Sequence, residues 1–244
     1  YRIEGLDLAH VQLGTSNAQT LSVSFYVKSN KTGNTAIGLI NQNNDRSFVH
    51  QYTIASANTW QRVSFKVVGD TTGTWNKDTS VGMRMRWGTF GTDYQTGTFD
   101  AWQAGQKMAT SNSPINFNSA TGDYIQITGV QVELGDTVTS FEHRSIGEEL
   151  LRCKRYFQGY IQYGEYVSGG TGNLGLPYTA FTVPMRASPT FVNTVEDKSS
   201  NWSFTSMQVQ GSAAEGYYAY AISYNTTNSN YGYMRRAGTA SAEL

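Results

Sequence analysis

Most of the first 140 residues alternate between apolar and polar side chains with a period of two. Residues 21–28 (LSVSFYVK) alternate strictly, and residues 60–70 (WQRVSFKVVGD) and 81–88 (VGMRMRWG) follow the same pattern. The segments TAIGLIN and RSFVHQYTI have the composition of two further strands. A period of two is typical of a strand with one buried face and one solvated face, so this region is predicted to form antiparallel sheet.

The last predicted strand of this region, YIQITGVQVELG, changes phase in its middle. Ile125 and Ile127 share one phase, whereas Val130 and Val132 share the other, and Gly129 stands between the two pairs. A glycine at a change of phase predicts a β-bulge. Strands that follow one another every ten to fifteen residues without a helix predict an all-β sandwich, and we favour a jelly roll.

One stretch, residues 141–157 (FEHRSIGEELLRCKRYF), has a clear helical pattern. Ser145 and Glu148 are spaced as a capping box, and Glu148 is spaced to pair with Arg152 one turn later. The apolar face of this predicted helix consists of Ile146, Leu150, Cys153 and Phe157. This face is expected to pack either on its own domain or on copies of itself around a symmetry axis.

The residues after the helix are again predicted to be strands. GYIQYGEYV, AFTVPMRASPTFV, NWSFTSMQVQG and YYAYAISY are separated by polar or glycine-rich segments. The predicted organisation is therefore a jelly-roll domain of the carbohydrate-binding-module type over residues 1–143, a linking helix over residues 144–157 and a small C-terminal β tip domain over residues 158–244.

Composition and charge exclude several classes of function. Charged residues make up 15% of the chain, and 18 basic residues balance 18 acidic ones, so no basic surface that would bind nucleic acid is expected. No apolar run reaches about 18 residues, so we expect no membrane insertion. The single cysteine, Cys153, excludes an internal disulfide and is expected to be a core residue. The opening YRIEG suggests a fragment of something longer.

Carboxylates and histidines offer only weak signals for catalysis or metal binding. The loop acids Asp93 and Asp100 lie among aromatic residues, and Glu196 is adjacent to Asp197. Such acids are more often turn formers, although hydrolysis of a glycoside requires two carboxylates that face one sugar. The three histidines, which are His10, His50 and His143, have no metal-binding spacing. No cofactor is expected, and a structural calcium ion held by Asp7, Asp45 or Glu133 is the open alternative.

Aromatic side chains beside short polar ones are the strongest candidates for binding. Aromatic rings cover the apolar faces of sugars, and amides and guanidinium groups bond to the hydroxyls. The candidate ligand-binding residues are Trp75, Asn76, Tyr94 and Trp102 in the first region, and Trp202, Tyr217, Tyr231, Tyr233, Arg235 and Arg236 in the second. The alternative is that half or more of these rings fill the sandwich or a subunit interface.

The run GVQVELGDTVTSFEHRSIGEELLRCKRYF resembles a recurrent segment of bacteriophage tail-fibre and minor tail proteins. YRIEG, SFYVKS, DRSFVHQYTI, NTWQRVSF, GDTTGTW and AWQAG follow in the order of that family, and VPMRASPT comes after the helix. The resemblance covers nearly all of residues 1–157. It implies a jelly roll like a carbohydrate-binding module near the C-terminus of a virion fibre, and it assigns no binding residue.

Three functions follow as hypotheses. The first is a non-enzymatic receptor-binding protein at the distal end of a phage tail fibre, acting in the virion, which binds bacterial surface polysaccharide or lipopolysaccharide. It is expected to be a homotrimer and to contact other tail-fibre segments, because a fibre needs a closed symmetric assembly. The second is a polysaccharide-degrading tail enzyme or its accessory carbohydrate-binding module. The third is a purely structural fibre segment.

Overall fold

The computed structural model describes residues 1–88, 90–167, 171–175, 178–198, 202–226 and 231–243, with part of the side chains in the later strands excepted. These residues form two compact units, Tyr1–His143 and Arg144–Glu243. Each unit is built around antiparallel sheets.

The described part of the first unit is mostly strand. Its strands are β1 Arg2–Glu4, β2 Leu21–Ser29, β3 Gly33–Asn41, β4 Arg46–Ile54, β5 Gln61–Val67, β6 Val81–Trp87, β7 Gln95–Thr96, β8 Trp102–Ala104, β9 Ala109–Thr110 and β10 Ile125–Leu134. The sequence pattern missed the short helix α1 (Gly5–Leu8) and the 3-10 turns η1 (Ala9–Val11) and η2 (Thr92–Tyr94). These elements are too short for a periodic signal.

Two sheets face each other to make the sandwich. One has the strand order β1-β6-β3-β4-β8, and the other has the order β10-β2-β5. The core between them contains the inward side chains of every second residue, among them Phe25, Leu39 and Met83, none of which has accessible surface. The Phe25 ring meets Tyr52 and Trp87 edge to face at 5.4 and 5.5 Å between centroids. The predicted all-β sandwich is confirmed.

The predicted bulge at Gly129 is also confirmed. The register between β10 and β2 shifts between Thr128 and Gln131. Gly129 has a φ of 57°, in the left-handed region that favours glycine. A Cβ at this position would lie 3.0 Å from the ring of Tyr26, so both the backbone angle and the space favour a glycine.

The segment 135–142, which we call the strap, turns back after β10 and crosses the outer face of the three-stranded sheet. Ser22 Oγ donates to the carbonyl of Thr137 at 3.0 Å, and Thr139 donates its N–H to Glu133 Oε2 at 3.1 Å. The Thr139 hydroxyl holds the pKa of the Glu133 carboxyl below its usual value. The strap therefore explains why Ser22, a serine on an outward face, is fully buried.

The long loop between β6 and β10 crosses the outer face of the five-stranded sheet. Met108 lies directly over Gly38, where a Cβ would be 2.4 Å from the Met108 Cα. Thr110 lies over β4, and its hydroxyl donates to Gln51 Oε1. This polar loop, which carries Asp93 and Asp100, thus buries Met108 against the sheet.

The described part of the second unit contains longer strands. They are β11 Phe157–Val167, β12 Thr171–Gly175, β13 Thr179–Ala180, β14 Thr190–Lys198, β15 Trp202–Ser212, β16 Gly216–Thr226 and β17 Tyr231–Ser241. One sheet has the order β11-β17-β14, and β12, β13 and β15 all pair with β16. A small core contains Tyr160, Met185, Tyr217 and Ala240.

The predicted helix forms as α2, Ile146–Lys154. Ser145 Oγ accepts the N–H of Glu148 at 3.3 Å, while the Glu148 carboxylate accepts from Arg152 at 3.0 Å. The predicted salt bridge is therefore confirmed. No helix among the described residues is long and apolar enough to span a membrane.

The expectation that Cys153 is a core residue is wrong, because the structure leaves the apolar face of α2 exposed. Ile146 is 85% exposed and Leu150 is 54% exposed, and Cys153 is exposed as well. Within its own unit, α2 contacts chiefly the beginning of β11, so the described chain does not cover this face.

Candidate functional site

Two of the predicted binding residues, Trp75 and Trp102, belong to the interior of the first unit. Their rings meet edge to face at 5.1 Å between centroids, and Trp75 is buried. Trp102 Nε1 donates to the carbonyl of Val68 at 2.6 Å, and its ring packs on Phe48. These tryptophans stabilise the loops at one end of the sandwich and offer little ring surface to a ligand.

Asn76 and Tyr94 do not join these tryptophans in a common surface. The amide of Asn76 donates to Ser80 Oγ at 2.6 Å and to the carbonyl of Val81 at 3.1 Å, so its hydrogen bonds are used within its own loop. Tyr94 is exposed, and its carbonyl accepts the N–H of Met108 on the outer face of the five-stranded sheet. The structure therefore separates the predicted group of four.

The predicted residues of the second unit have different positions. Tyr217 has no accessible surface and packs against Tyr160 at 5.3 Å between centroids, whereas Arg235 is exposed near the beginning of β17. The remaining candidates have backbones in β15 or β17, and their side chains lie outside the described residues: Trp202, Tyr231, Tyr233 and Arg236. Tyr217 thus belongs to the core.

An exposed aromatic platform lies instead around Trp60, just before β5. The Trp60 side chain is 45% exposed, and the ammonium group of Lys28 lies 5.9 Å from the ring centroid. A cation over an indole face is attracted by the ring quadrupole. Since Val27 pairs with Gln61, Trp60 lies beside the end of β2.

Polar side chains fix the loops next to Trp60. Tyr124 Oη donates to Asn58 Oδ1 at 2.6 Å, and Asn30 Oδ1 accepts the N–H of Tyr124 at 3.0 Å. The N–H of Asn58 donates to the carbonyl of Ser29 at 2.6 Å. We call Lys28, Asn30, Asn58, Trp60 and Tyr124 the Trp60 surface. It combines an open ring with amides and a hydroxyl held in fixed positions.

An ion pair orders the loop that precedes Tyr124. Lys31 Nζ lies 2.8 Å from Asp123 Oδ2, which also accepts from Ser119 Oγ at 2.9 Å and from the N–H of Ala120 at 2.7 Å. The hydrogen bond from Lys31 is the main cause that lowers the pKa of Asp123 to about 2. The carboxylate is therefore charged, and the loop stays tied to β2, at any ordinary pH.

The candidate calcium ligands are not brought together. Asp45 accepts from Asn41 Nδ2 at 2.5 Å, Glu133 contacts the strap, and Asp7 lies in the first turn of α1. Among the described residues, no group of three or more histidine, cysteine, aspartate or glutamate side chains has the arrangement of a metal site.

The loop acids considered for hydrolysis have separate surroundings. Asp100 Oδ1 lies 2.6 Å from His50 Nδ1, and the His50 ring stacks on Phe65 at 4.0 Å. Asp93 is exposed, and its backbone carbonyl accepts from Lys107. Asp197 is cross-strand to Arg235 in the second unit, while the side chain of Glu196 lies outside the described residues.

Sequence reasoning missed Trp60 because the residue sits next to a strand with clear alternation. In WQRVSFKVVGD the tryptophan is the first residue of the predicted strand, and the alternation does not show that its ring is exposed. The signal that could have identified Trp60 as exposed is its position in the alternation of the strand. Trp60 shares the period of Arg62, Ser64 and Lys66, the outward residues of β5.

Comparisons with known proteins add two distant structural likenesses. No family model matches the chain, and no curated protein matches it. The recombinant discoidin II of Dictyostelium discoideum is 8% identical, with 94% of this chain and 76% of that chain covered and a TM-score of 0.23. The wild-type discoidin II is 9% identical, with 91% and 71% covered and a TM-score of 0.22. Because these scores are low, the description of the fold rests on the sheets of this chain alone.

Proposed function

We propose that this chain is a non-enzymatic glycan-binding part of a bacteriophage tail fibre, and that it attaches the virion to bacterial surface polysaccharide or lipopolysaccharide. The resemblance of residues 1–157 to tail-fibre segments supports the proposal that the chain belongs to a tail fibre. In this proposal residues 1–143 form the jelly roll, residues 144–157 link it to the rest, and residues 158–244 form the tip.

The Trp60 surface is the observation that carries glycan binding. A ring as large as indole is usually covered, since burial of its apolar area is favourable. Trp60 stays 45% exposed although its neighbours Asn58 and Tyr124 are held in place by hydrogen bonds. A rigid exposed ring beside fixed amides suits the apolar face and the hydroxyls of a sugar, and little entropy is lost on binding.

Exposed apolar side chains in the second unit support the proposed homotrimer. On α2 they include Ile146, Leu150 and Leu151, and on β11 they include Phe157 and Ile161. An exposed apolar surface of this kind commonly marks a protein–protein interface. Closed symmetry would bury it on every copy, and several weak glycan sites on one assembly would act together through avidity.

Light scattering of the 244-residue chain tests the assembly. The expected mass is three times 26.9 kDa. Leu150→Asp is expected to shift the mass towards the monomer, because a carboxylate would be buried in the apolar interface at a cost of several kcal/mol. Leu134→Asp, the same substitution at a half-exposed leucine of the first unit, serves as the control. A monomeric mass for the unchanged chain would overturn the trimer.

Loss of the Trp60 ring tests glycan binding. Trp60→Ala is expected to weaken binding to host cells or purified host polysaccharide about tenfold or more, as is typical of an aromatic anchor in an interface. Leu134→Ala, which removes another exposed apolar side chain at the opposite end of the same sheet, should leave binding unchanged.

Two results would contradict the proposal. If both variants bind as the unchanged chain does, the Trp60 surface is not the site. If the unchanged chain fails to bind host cells or to compete with phage adsorption, the proposal of receptor binding is wrong. The hypothesis of a purely structural fibre segment is then favoured. Release of reducing sugar from host polysaccharide would favour the enzyme instead.

A further inference from the structure

Three arginines share the outer face of the five-stranded sheet. Arg84 and Arg86 point outward from β6, whose alternate residues Met83 and Met85 are buried in the core. Arg2 of β1 is directly cross-strand to Arg84. Cross-strand neighbours have Cβ atoms about 5 Å apart, and residues two apart on one strand lie about 7 Å apart. The three arginines therefore leave the sheet at neighbouring positions of one face, and we call them the arginine patch.

No carboxylate neutralises the arginine patch among the residues that the structure describes. Its three side chains have no acidic oxygen within 4.0 Å in that part of the chain. The other arginines of the first unit differ. Arg46 forms two bonds with Asp70, and Arg62 is bonded to the carbonyl of Thr139 in the strap.

Neutral acceptors hold the central arginine in place without cancelling its charge. Arg84 Nη1 donates to the carbonyl of Gln42 at 2.8 Å and to Asn44 Oδ1 at 3.0 Å. Partial burial lowers the pKa of Arg84, and the charges of Arg86 and Arg2 lower it further. Like charges on directly opposed residues of a sheet destabilise the fold. An arrangement that is unfavourable for the free protein is suited to binding an anion.

We propose that the arginine patch binds an anionic group, a carboxylate or a phosphate, of an acidic glycan. Guanidinium groups present paired N–H donors that match two oxygens of either anion. Binding would remove the repulsion within the cluster and supply the missing counter-charge. That the anion belongs to a glycan rests on the proposed function; the patch itself lies on the opposite sheet from the Trp60 surface, and its charge does not depend on that surface.

The test compares charged and neutral polymers. We expect the chain to bind polygalacturonate, which carries carboxylates, or phosphomannan, which carries phosphates, and to bind fully methyl-esterified polygalacturonate and unphosphorylated mannan much more weakly. The preferred charged polymer identifies the anion. Equal affinity for the charged and neutral members of both pairs, or no binding to either charged polymer, would overturn the proposal.

Variants locate the effect in the arginine patch. The double variant Arg2→Gln with Arg86→Gln is expected to weaken binding of the charged polymer about tenfold or more, while Arg84 is kept because it holds the turn after β3. Lys66→Gln removes one positive charge from the other sheet, half of what the double variant removes, and should change affinity less than twofold. An equal loss in both proteins would mean general attraction by net charge and would overturn the assignment.

Further readouts separate this proposal from the first one. Arg86→Lys is expected to bind the charged polymer less tightly than the unchanged chain but more tightly than the double variant, since an ammonium group keeps the charge without the paired donors. Trp60→Ala tests whether a glycan stacks on the opposite sheet. If that variant binds the charged polymer as the unchanged chain does, the Trp60 surface is not a glycan site, and the proposal for the arginine patch still stands. Melting temperatures of all variants confirm that each remains folded.

Discussion

Replacement of Asp70 with alanine is expected to lower the free energy of unfolding of the first unit by about 3–5 kcal/mol. Asp70 is 2% exposed and accepts two bonds from Arg46, at 2.8 Å from Nε and 2.6 Å from Nη2. Its Oδ1 also accepts from the Thr72 hydroxyl at 3.1 Å. Without the carboxylate, a partly buried guanidinium group loses its counter-charge, and the loop after β5 loses its anchor to β4.

Urea denaturation followed by tryptophan fluorescence measures this change, because four of the five tryptophans lie in the first unit. The control is Asp136→Ala, which breaks the pair with Lys66. Both of those side chains are more than half exposed, so the expected cost is small and far below that of Asp70→Ala. Equal costs for the two variants would show that the buried pair contributes no more than a surface one.

Gly38→Ala is expected to destabilise the first unit by about 3 kcal/mol, near the upper end for overpacking a core. The new Cβ would lie 2.4 Å from both the Cα and the Cβ of Met108. Because these are not the ends of a flexible side chain, the loop that carries Met108 has to move away from β3. Tyr94 would move with it, since its carbonyl is bonded to the N–H of Met108.

Gly91→Ala is the matched control for this prediction. Gly91 has an ordinary extended backbone with a φ of −61°, and a Cβ there meets nothing within 4 Å. Its expected effect on the free energy of unfolding is within about 0.5 kcal/mol, as for most surface substitutions. If Gly38→Ala were as mild as Gly91→Ala, the close contact between Met108 and the sheet would be wrong.

The strands of the first unit could be predicted because each carries a complete local signal. Residues 21–28 and 81–88 alternate along the chain, and the structure places β2 at Leu21–Ser29 and β6 at Val81–Trp87. The bulge at Gly129 was predictable for the same reason, since a change of phase is visible within ten residues. Strand pairing and the two-sheet order depend on contacts far apart in sequence, which alternation does not encode.

Site residues were harder to predict than strands because burial in a loop has no period. Trp75 and Trp102 lie in polar loops, yet they pack on each other and on the core. Trp60 lies beside a strand and is open to solvent. The arginine patch was overlooked because Arg2 and Arg84 are separated by 81 intervening positions, and only the pairing of β1 with β6 makes them neighbours.

The exposure of α2 marks a different limit of sequence reasoning. Its capping residue and its ion pair are local, and both are present in the structure. Its amphipathic pattern shows that the helix has an apolar face but not what covers that face. The prediction that Cys153 is a core residue is wrong for this reason, because an apolar stripe does not show that the same domain covers it.

The strap has a mechanical consequence for a chain that is pulled from its C-terminal side. Tension that enters at His143 reaches the sandwich through the strap, whose contacts follow one another along the face from Glu142 to Thr137. Such contacts open one at a time rather than together. The eight residues of the strap would then straighten to a total length of about 28 Å before load fell on the paired strands. The strap would thus detach before the paired strands of the core carry the load.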